Sequence, residues 1–282
     1  MTAKPWTTTG MLSACAITFI ALTAIFLPFP ELDLWAAGLF YKGANDFWLR
    51  QTEFNAFLNA YVRHGVGYVA VGGLLLFLYL WLTWPLDRIQ RLARYGFLFI
   101  CIILSTGLVV HAVLKDNWGR ARPKHVVQFD GEYVFTPPLL PAAQCERNCS
   151  FVSGDASVGY VMLALALYAT RRRKFWIVLS ITAGLGLGLM RMMNGSHFLS
   201  DILYSGVFTC GGVLLLYRWI VEKNWVKDTE PLRRVAGPYL GPVLRPVGNG
   251  LRGLWMRAST PGMRMGLDRA GIRLRRLFEP VV

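Results

Sequence analysis

The chain has 282 residues, 54% of them hydrophobic and 16% charged, with a formal net charge of +14. A surplus of that size suits nucleic acid or an anionic membrane surface. The placement of the charges excludes the first, because Lys and Arg gather in short connections and in one tail, where anionic headgroups attract them.

Residues 7–30, 66–84 and 96–114 contain no Asp, Glu, Lys or Arg, and each is long enough to cross a bilayer, which takes roughly 20 apolar residues as a helix. The first is too long for a signal-peptide core and has no small-x-small cleavage site after it, so it reads as an uncleaved span. Residues 31–65 follow it and are crowded with aromatics, among them Trp35, Phe40, Tyr41, Phe47 and Trp48. Phe54, Phe57, Leu58 and Tyr61 recur at i, i+3, i+4 and i+7, which predicts a helix lying in the outward interface plane.

Three shorter apolar runs come later, at 156–170, 175–190 and 202–217. They fall below the roughly 20 residues of a full span, so the charged residues at their ends, Asp155, Arg191 and Asp201, should sit at or slightly below headgroup level. With six spans, Lys4, the loop with Arg88, Arg91 and Arg94, the run Arg171-Arg172-Arg173-Lys174 and the twelve Lys or Arg from Lys223 onward all fall on one side. The positive-inside rule makes that side, and both termini, cytoplasmic. The expected fold is an all-α membrane protein: six transmembrane helices within residues 1–221, an outward interfacial helix, and a basic cytoplasmic tail over 222–282. In the tail, Met263, Leu267, Ala270, Leu274 and Leu277 repeat at helical spacing, predicting an amphipathic helix on the cytoplasmic leaflet.

The outward connections carry the chemistry. Lys115, Arg120, Arg122 and Lys124 fall within ten positions against the topology rule, which calls for an anionic partner. His111, one turn before Lys115, reads as a hydrogen-bonded packing residue. Cys145 and Cys149 lie in a loop placed outside, where a disulfide is favoured over a metal site, while Cys15, Cys101 and Cys210 lie inside spans. Ser153 and Gly154, just before the fourth span, put free N–H groups at a helix N-terminus. Gly184 and Gly188 form a GxxxG pair for close helix packing. With a helical turn near Ser196, His197 and Asp201 share a face, so that Asp201 accepts the Nδ1 proton and Nε2 is left to attack an electrophile or move a proton. Arg191 adds a planar fork of donors for phosphate oxygens.

In order and spacing these three outward elements resemble the signature of the type 2 phosphatidic acid phosphatase superfamily. Lys115, Arg122 and Pro123 match its Lys-x6-Arg-Pro; Arg191, His197 and Asp201 match its Ser-Arg-x5-His-x3-Asp, with Met190 in place of Ser; Val152-Ser153-Gly154-Asp155 stands where the family has Pro-Ser-Gly-His. The resemblance implies a six-helix membrane fold, a cofactor-free and metal-free reaction, and a lipid phosphate as substrate. It makes His197 the nucleophile of a phospho-histidine intermediate, oriented by Asp201, and makes Lys115, Arg122, Ser153, Gly154 and Arg191 the phosphate cradle. Together with the charge-derived topology, the reading is a bacterial inner-membrane enzyme with its active site on the periplasmic side. Lipid A is preferred over an isoprenyl diphosphate or phosphatidylglycerol phosphate. The family's middle-motif histidine protonates the leaving oxygen, and here that position is Asp155. Beside cations an Asp is a poor acid at neutral pH. Either Asp155 is tuned, or another group donates, or the leaving group needs little help. Two rivals stand beside this reading: a lipid phosphotransferase using the same histidine, and a catalytically weak lipid-binding scaffold. Partners beyond the lipid phosphate and membrane lipids are not expected, nucleic acid included, and the sequence leaves the oligomeric state open.

Overall fold

The computed structural model of the chain describes residues 7–57, 63–83, 96–169 and 172–223, with the single residues 246 and 250. Lys4, the arginines of the loop after the second span, Arg171, the amphipathic repeat of the tail, and Leu58 and Tyr61 of the aromatic stripe lie outside the described residues.

The chain is mostly helical. In order come α1 (Thr8–Phe26), α2 (Glu31–Gly38), a short antiparallel hairpin of β1 (Tyr41–Gly43) and β2 (Asp46–Phe47), then α3 (Glu53–Phe57) and α4 (Arg63–Thr83). After them come α5 (Gly96–Lys115), α6 (Gly154–Tyr160), α7 (Leu163–Tyr168), α8 (Arg173–Met193) and α9 (Leu199–Leu216), which runs on to Glu222. Four helices are long and apolar enough to cross a membrane: Thr8–Phe26, Gly96–Lys115, Arg173–Met193 and Leu199–Glu222. Gly65–Tyr79, within α4, and Gly154–Tyr168, which covers α6 and α7, are shorter apolar helices.

The segment between α1 and α4 holds α2 and a hairpin besides α3, the described part of the expected interfacial helix. Phe54 and Phe57 are exposed on α3, and so are Trp35 and Trp48. Phe47 instead is fully buried, with its ring against Tyr41 and Phe129, so part of the aromatic crowd forms a core. That core fixes the turn before the site. Gly195 has φ +69°, and a Cβ there would collide with the Phe47 ring.

The runs at 175–190 and 202–217 are also longer as helices than their apolar stretches, because α8 continues through Arg191 to Met193 and α9 begins at Leu199 ahead of Asp201. Charge ends an apolar run in sequence but not in space. Arg191 and Asp201 are both buried, each paired inside the protein.

The fourth predicted span is broken. The hydroxyl of Ser180 on α8 donates to the carbonyls of Gly159, at 3.3 Å, and Tyr160, at 2.8 Å, and the chain passes through a tight turn at Val161 and Met162 before α7 resumes. A side chain inserted at a helix's carbonyls is a recognised cause of such a break. α6 and α8 meet without room for side chains, since a Cβ on Gly159 would overlap the backbone at Gly184, and α8 lies as close to α9, where a Cβ on Gly188 would overlap Ile202.

α1 packs along α9 through edge contacts of Phe19 with Tyr204 and Phe208, and Thr23 Oγ1 lies 3.1 Å from the Tyr204 hydroxyl. At one end of the bundle Thr8 Oγ1 donates to Glu222 at 2.6 Å, and the rings of Phe97, Tyr168 and Tyr217 cluster. The opposite end, where α5 and α8 finish and α6 and α9 begin, holds the site.

Candidate active site

Backbone hydrogen bonds tie the four helix ends together. Cys149 N–H donates to the Lys115 carbonyl at 3.0 Å, Ser150 N–H to Arg120 at 2.9 Å, Ser153 N–H to Asp201 at 3.1 Å, and Ser196 N–H to Arg191 at 2.9 Å. Ser153 is the N-cap of α6, its hydroxyl accepting from Ala156 N–H at 3.4 Å, and Ser205 Oγ donates to its carbonyl at 2.7 Å. Cys145 and Cys149 form a disulfide in the loop leading to this cap.

His197 stands in the turn just before α9 and is fully buried. Its Nδ1 lies 2.7 Å from the carbonyl of Ser150, while the Asp201 carboxylate is 3.7 Å away. The acceptor that fixes the tautomer is therefore a backbone carbonyl, where the sequence reading had Asp201. A carbonyl only accepts, so Nδ1 carries the proton and the lone pair is left on Nε2. That nitrogen is buried and has no hydrogen-bond partner among the described residues. Burial pushes the imidazole pKa down to about 3, with Asp201 opposing the shift and the charges of Lys115 and Arg122 adding to it. The ring is neutral at physiological pH.

Asp201 has other work. Its Oδ1 accepts from Arg120 at 2.6 Å, and its Oδ2 accepts from Ser150 Oγ at 2.6 Å and from Phe198 N–H at 2.9 Å. It reaches His197 through Ser150, whose hydroxyl it holds and whose carbonyl holds the ring. Arg120 is fully buried and bridges three parts of the chain. Besides Asp201 it donates to Asp33 Oδ2 of α2 at 2.8 Å, to Thr136 O at 2.8 Å and to Ser200 Oγ at 3.0 Å, with its guanidinium 4.4 Å above the Phe198 ring. Asp33 also accepts from Ser200 N–H at 2.8 Å. Neither Arg120 nor Asp33 stood out in the sequence as a site residue, and the only signal was that Arg120 belonged to a run with too much positive charge for its place.

The other residues that the signature matches converge on the same end of the bundle. Arg191 Nε lies 3.0 Å from Asp155 Oδ2, and its Nη2 donates to Ser196 Oγ at 3.2 Å. Arg122 donates to the Asn148 carbonyl at 2.6 Å. Two further groups join them. Lys124 N–H donates to the Gly195 carbonyl at 3.1 Å, and Leu49 N–H to Met193 at 3.0 Å, which brings Arg50 to the same turn. Burial and the neighbouring charges of Arg122, Arg50 and Arg191 lower the Lys124 pKa to about 8. Lys124 is thus an ammonium below pH 8 and loses its charge above. If it helps attract a phosphate, KM should rise about fivefold between pH 7 and pH 9, on the scale of one partly screened charge contact, and Lys124→Arg should flatten that rise. A wild-type KM unchanged across pH 8 would remove Lys124 from substrate binding.

A neutral, desolvated imidazole facing several fixed cations suits transfer of a phosphoryl group from a monoester. Set among helices apolar enough for a bilayer, it makes the chain a membrane phosphatase. Comparison with known proteins agrees. Residues 94–225 match the family model described as the PAP2 superfamily. The chain is 38% identical over 204 residues to a lipid A 4'-phosphatase of Francisella tularensis subsp. novicida, an alignment covering 71% of this chain and 90% of that protein. It is 28% identical over 232 residues to a lipid A 4'-phosphatase of Rhizobium etli, covering 71% of this chain and 83% of that protein. A lipid A 1-phosphatase of Rhizobium etli is 36% identical over 127 residues, covering 45% of this chain and 49% of that protein. No solved structure matches the chain. The chain belongs to the PAP2 superfamily and is a phosphoric monoester hydrolase of that family.

Proposed function

We propose that this protein removes the 4'-phosphate from lipid A at the extracytoplasmic face of a bacterial inner membrane, through a phospho-histidine on His197. The substrate follows the relatives that the chain matches over most of their length. The observation that carries the chemistry is His197 Nε2, held with its lone pair available by the bond from Nδ1 to the Ser150 carbonyl. Nε2 attacks phosphorus, the bond to the alcohol oxygen breaks, and water later cleaves the P–N bond to release phosphate. Lys115, Arg122 and Arg191, with the Ser153 hydroxyl and Gly154 N–H, hold the phosphoryl oxygens where charge builds. Asp201, 3.7 Å from the ring, balances the cation formed when Nε2 becomes phosphorylated.

Six spans are supported by the two shorter apolar helices, Gly65–Tyr79 and Gly154–Tyr168, which join the four long ones. The orientation rests on the separation of charge: Arg172, Arg173, Lys174 and Lys223 lie at the end of the bundle away from His197, which the positive-inside rule makes cytoplasmic. The basic tail at 222–282 continues from that end.

The purified protein is expected to release phosphate from lipid A faster than from phosphatidylglycerol phosphate or an isoprenyl diphosphate, leaving a product without its 4'-phosphate. Release from an isoprenyl diphosphate alone would replace the substrate, and transfer to a second lipid in place of water would make the protein a phosphotransferase. For the topology, an impermeant thiol reagent on spheroplasts is expected to label Cys145 and Cys149 only after reduction. Protection after reduction would reverse the orientation.

A further inference from the structure

The structure ties Asp155, which stands where the family has its proton-donating histidine, to another task. Asp155 Oδ2 lies 3.0 Å from Arg191 Nε, so this carboxyl is engaged by a guanidinium as an ion-pair acceptor. That geometry suits holding Arg191 better than giving a proton to a leaving oxygen. An alkoxide is a poor leaving group, so a lipid phosphomonoester needs a donor at that point.

A second imidazole is present. His111 projects from α5, one turn before Lys115, and its ring packs on the residue that precedes Asp155: a Cβ at Gly154 would overlap His111 Nε2. His111 and Asp155 also line one cavity of about 500 Å³ between α4, α5 and α6. Its walls are otherwise almost wholly apolar, with Ala70, Val71, Ile103 and Gly107 among them. Gly154 lines that cavity and belongs to the proposed phosphate cradle, which would put His111 beside the point where the alcohol side of an ester bound there meets its phosphate.

We propose that His111 is the general acid that protonates the leaving alcohol oxygen, and that Asp155 is a positioning residue that keeps Arg191 and the approach to His111 in place. The inference rests on the phosphatase reading above. In the first step His197 Nε2 bonds to phosphorus, the P–O bond to the lipid breaks, and the His111 proton goes to the departing oxygen to give the alcohol. In the second, neutral His111 takes a proton from water as its oxygen attacks phosphorus, the P–N bond breaks, and phosphate leaves. Proton and phosphoryl group balance over the cycle. The sequence reading has His111 as a hydrogen-bonded packing residue; its contact at Gly154 lies 43 positions further along the chain, in another helix, where spacing does not reveal it.

The test compares two substrates in one sample: the lipid phosphomonoester and 4-nitrophenyl phosphate, whose phenolate leaves without a proton. kcat/KM reports the first step, and the ratio of the two values does not depend on how much of the sample is folded. His111→Gln, with His111→Asn as a second variant, is expected to lose about 100-fold or more on the lipid and less than about tenfold on the nitrophenyl ester. Asp155→Asn is expected to lower both by a similar factor. An equal loss on both substrates in the His111 variants, or the selective loss appearing in Asp155→Asn instead, would overturn the assignment. A wild-type protein inert on both esters would overturn the phosphatase reading and this inference with it.

Discussion

His197→Ala is expected to stop phosphate release while leaving the helices assembled. The bond that forms to phosphorus needs the Nε2 lone pair, and the other uncharged side chain of the cradle, the Ser153 hydroxyl, is occupied as the N-cap of α6. Removing a covalent nucleophile removes the route and not merely a contact, so turnover on lipid A should fall by at least about 1,000-fold. The cost to the fold is limited to the hydrogen bond to the Ser150 carbonyl and a small cavity, roughly 1–3 kcal/mol. Binding of the phosphate should survive, because Lys115, Arg122 and Arg191 remain. Turnover above about 1% of wild type, with an unchanged melting profile, would move the nucleophile elsewhere. The pH profile gives a second check. With its pKa at about 3 the folded ring stays neutral where free histidine would protonate, so an acid limb near pH 6.5 in kcat/KM must come from another group. The same shift costs stability in acid, because between pH 6.5 and about 3 the unfolded chain binds a proton at this residue that the folded chain refuses.

Part of this site was legible in local spacing and part in the resemblance. His197 and Asp201 are four apart, so their shared face needed only helical geometry, whereas Lys115 and Arg191 lie on other helices and were joined to them by the match to the family signature. What the spacing could not carry was any bond made by backbone or across distant segments. Ser150 holds His197 through its carbonyl, which any residue type would supply, so no side-chain pattern marks it. Lys124 and Arg50 meet at the Gly195 turn from segments more than 70 residues apart. The fold divides in the same way. The long apolar runs were plain because hydropathy sums over a window. The break after Tyr160 was not, since it depends on one hydroxyl, Ser180, reaching in from α8. The helices α8 and α9 outrun the apolar stretches at 175–190 and 202–217, because Arg191 and Asp201 are charged but buried and so end a run in sequence without ending the helix.

Arg120 is the residue whose loss the fold should tolerate least. It is fully buried, as are Asp33 and Asp201, the two carboxylates it joins. Taking the cation away leaves two desolvated anions facing each other with α2, the site loop and α9 no longer tied. Breaking a buried pair on one side costs about 3–5 kcal/mol, against a few tenths for a surface pair. Arg120→Met keeps most of the volume and the contact with Phe198, so its effect isolates the charge and the hydrogen bonds. We expect a fall in melting temperature of detergent-solubilised protein large enough to reduce the folded yield, together with loss of activity, because Asp201 then no longer fixes Ser150. Arg120→Lys should rescue little: one ammonium cannot span Asp33, Asp201 and the Thr136 carbonyl at once. Adding Asp33→Asn to Arg120→Met should recover part of the stability, since one of the two stranded charges is gone, and the size of that recovery measures the coupling. A melting temperature for Arg120→Met within a degree or two of wild type, on the scale of a surface substitution, would mean that the apolar packing around Phe198 holds these segments and that the ion pairs add specificity alone.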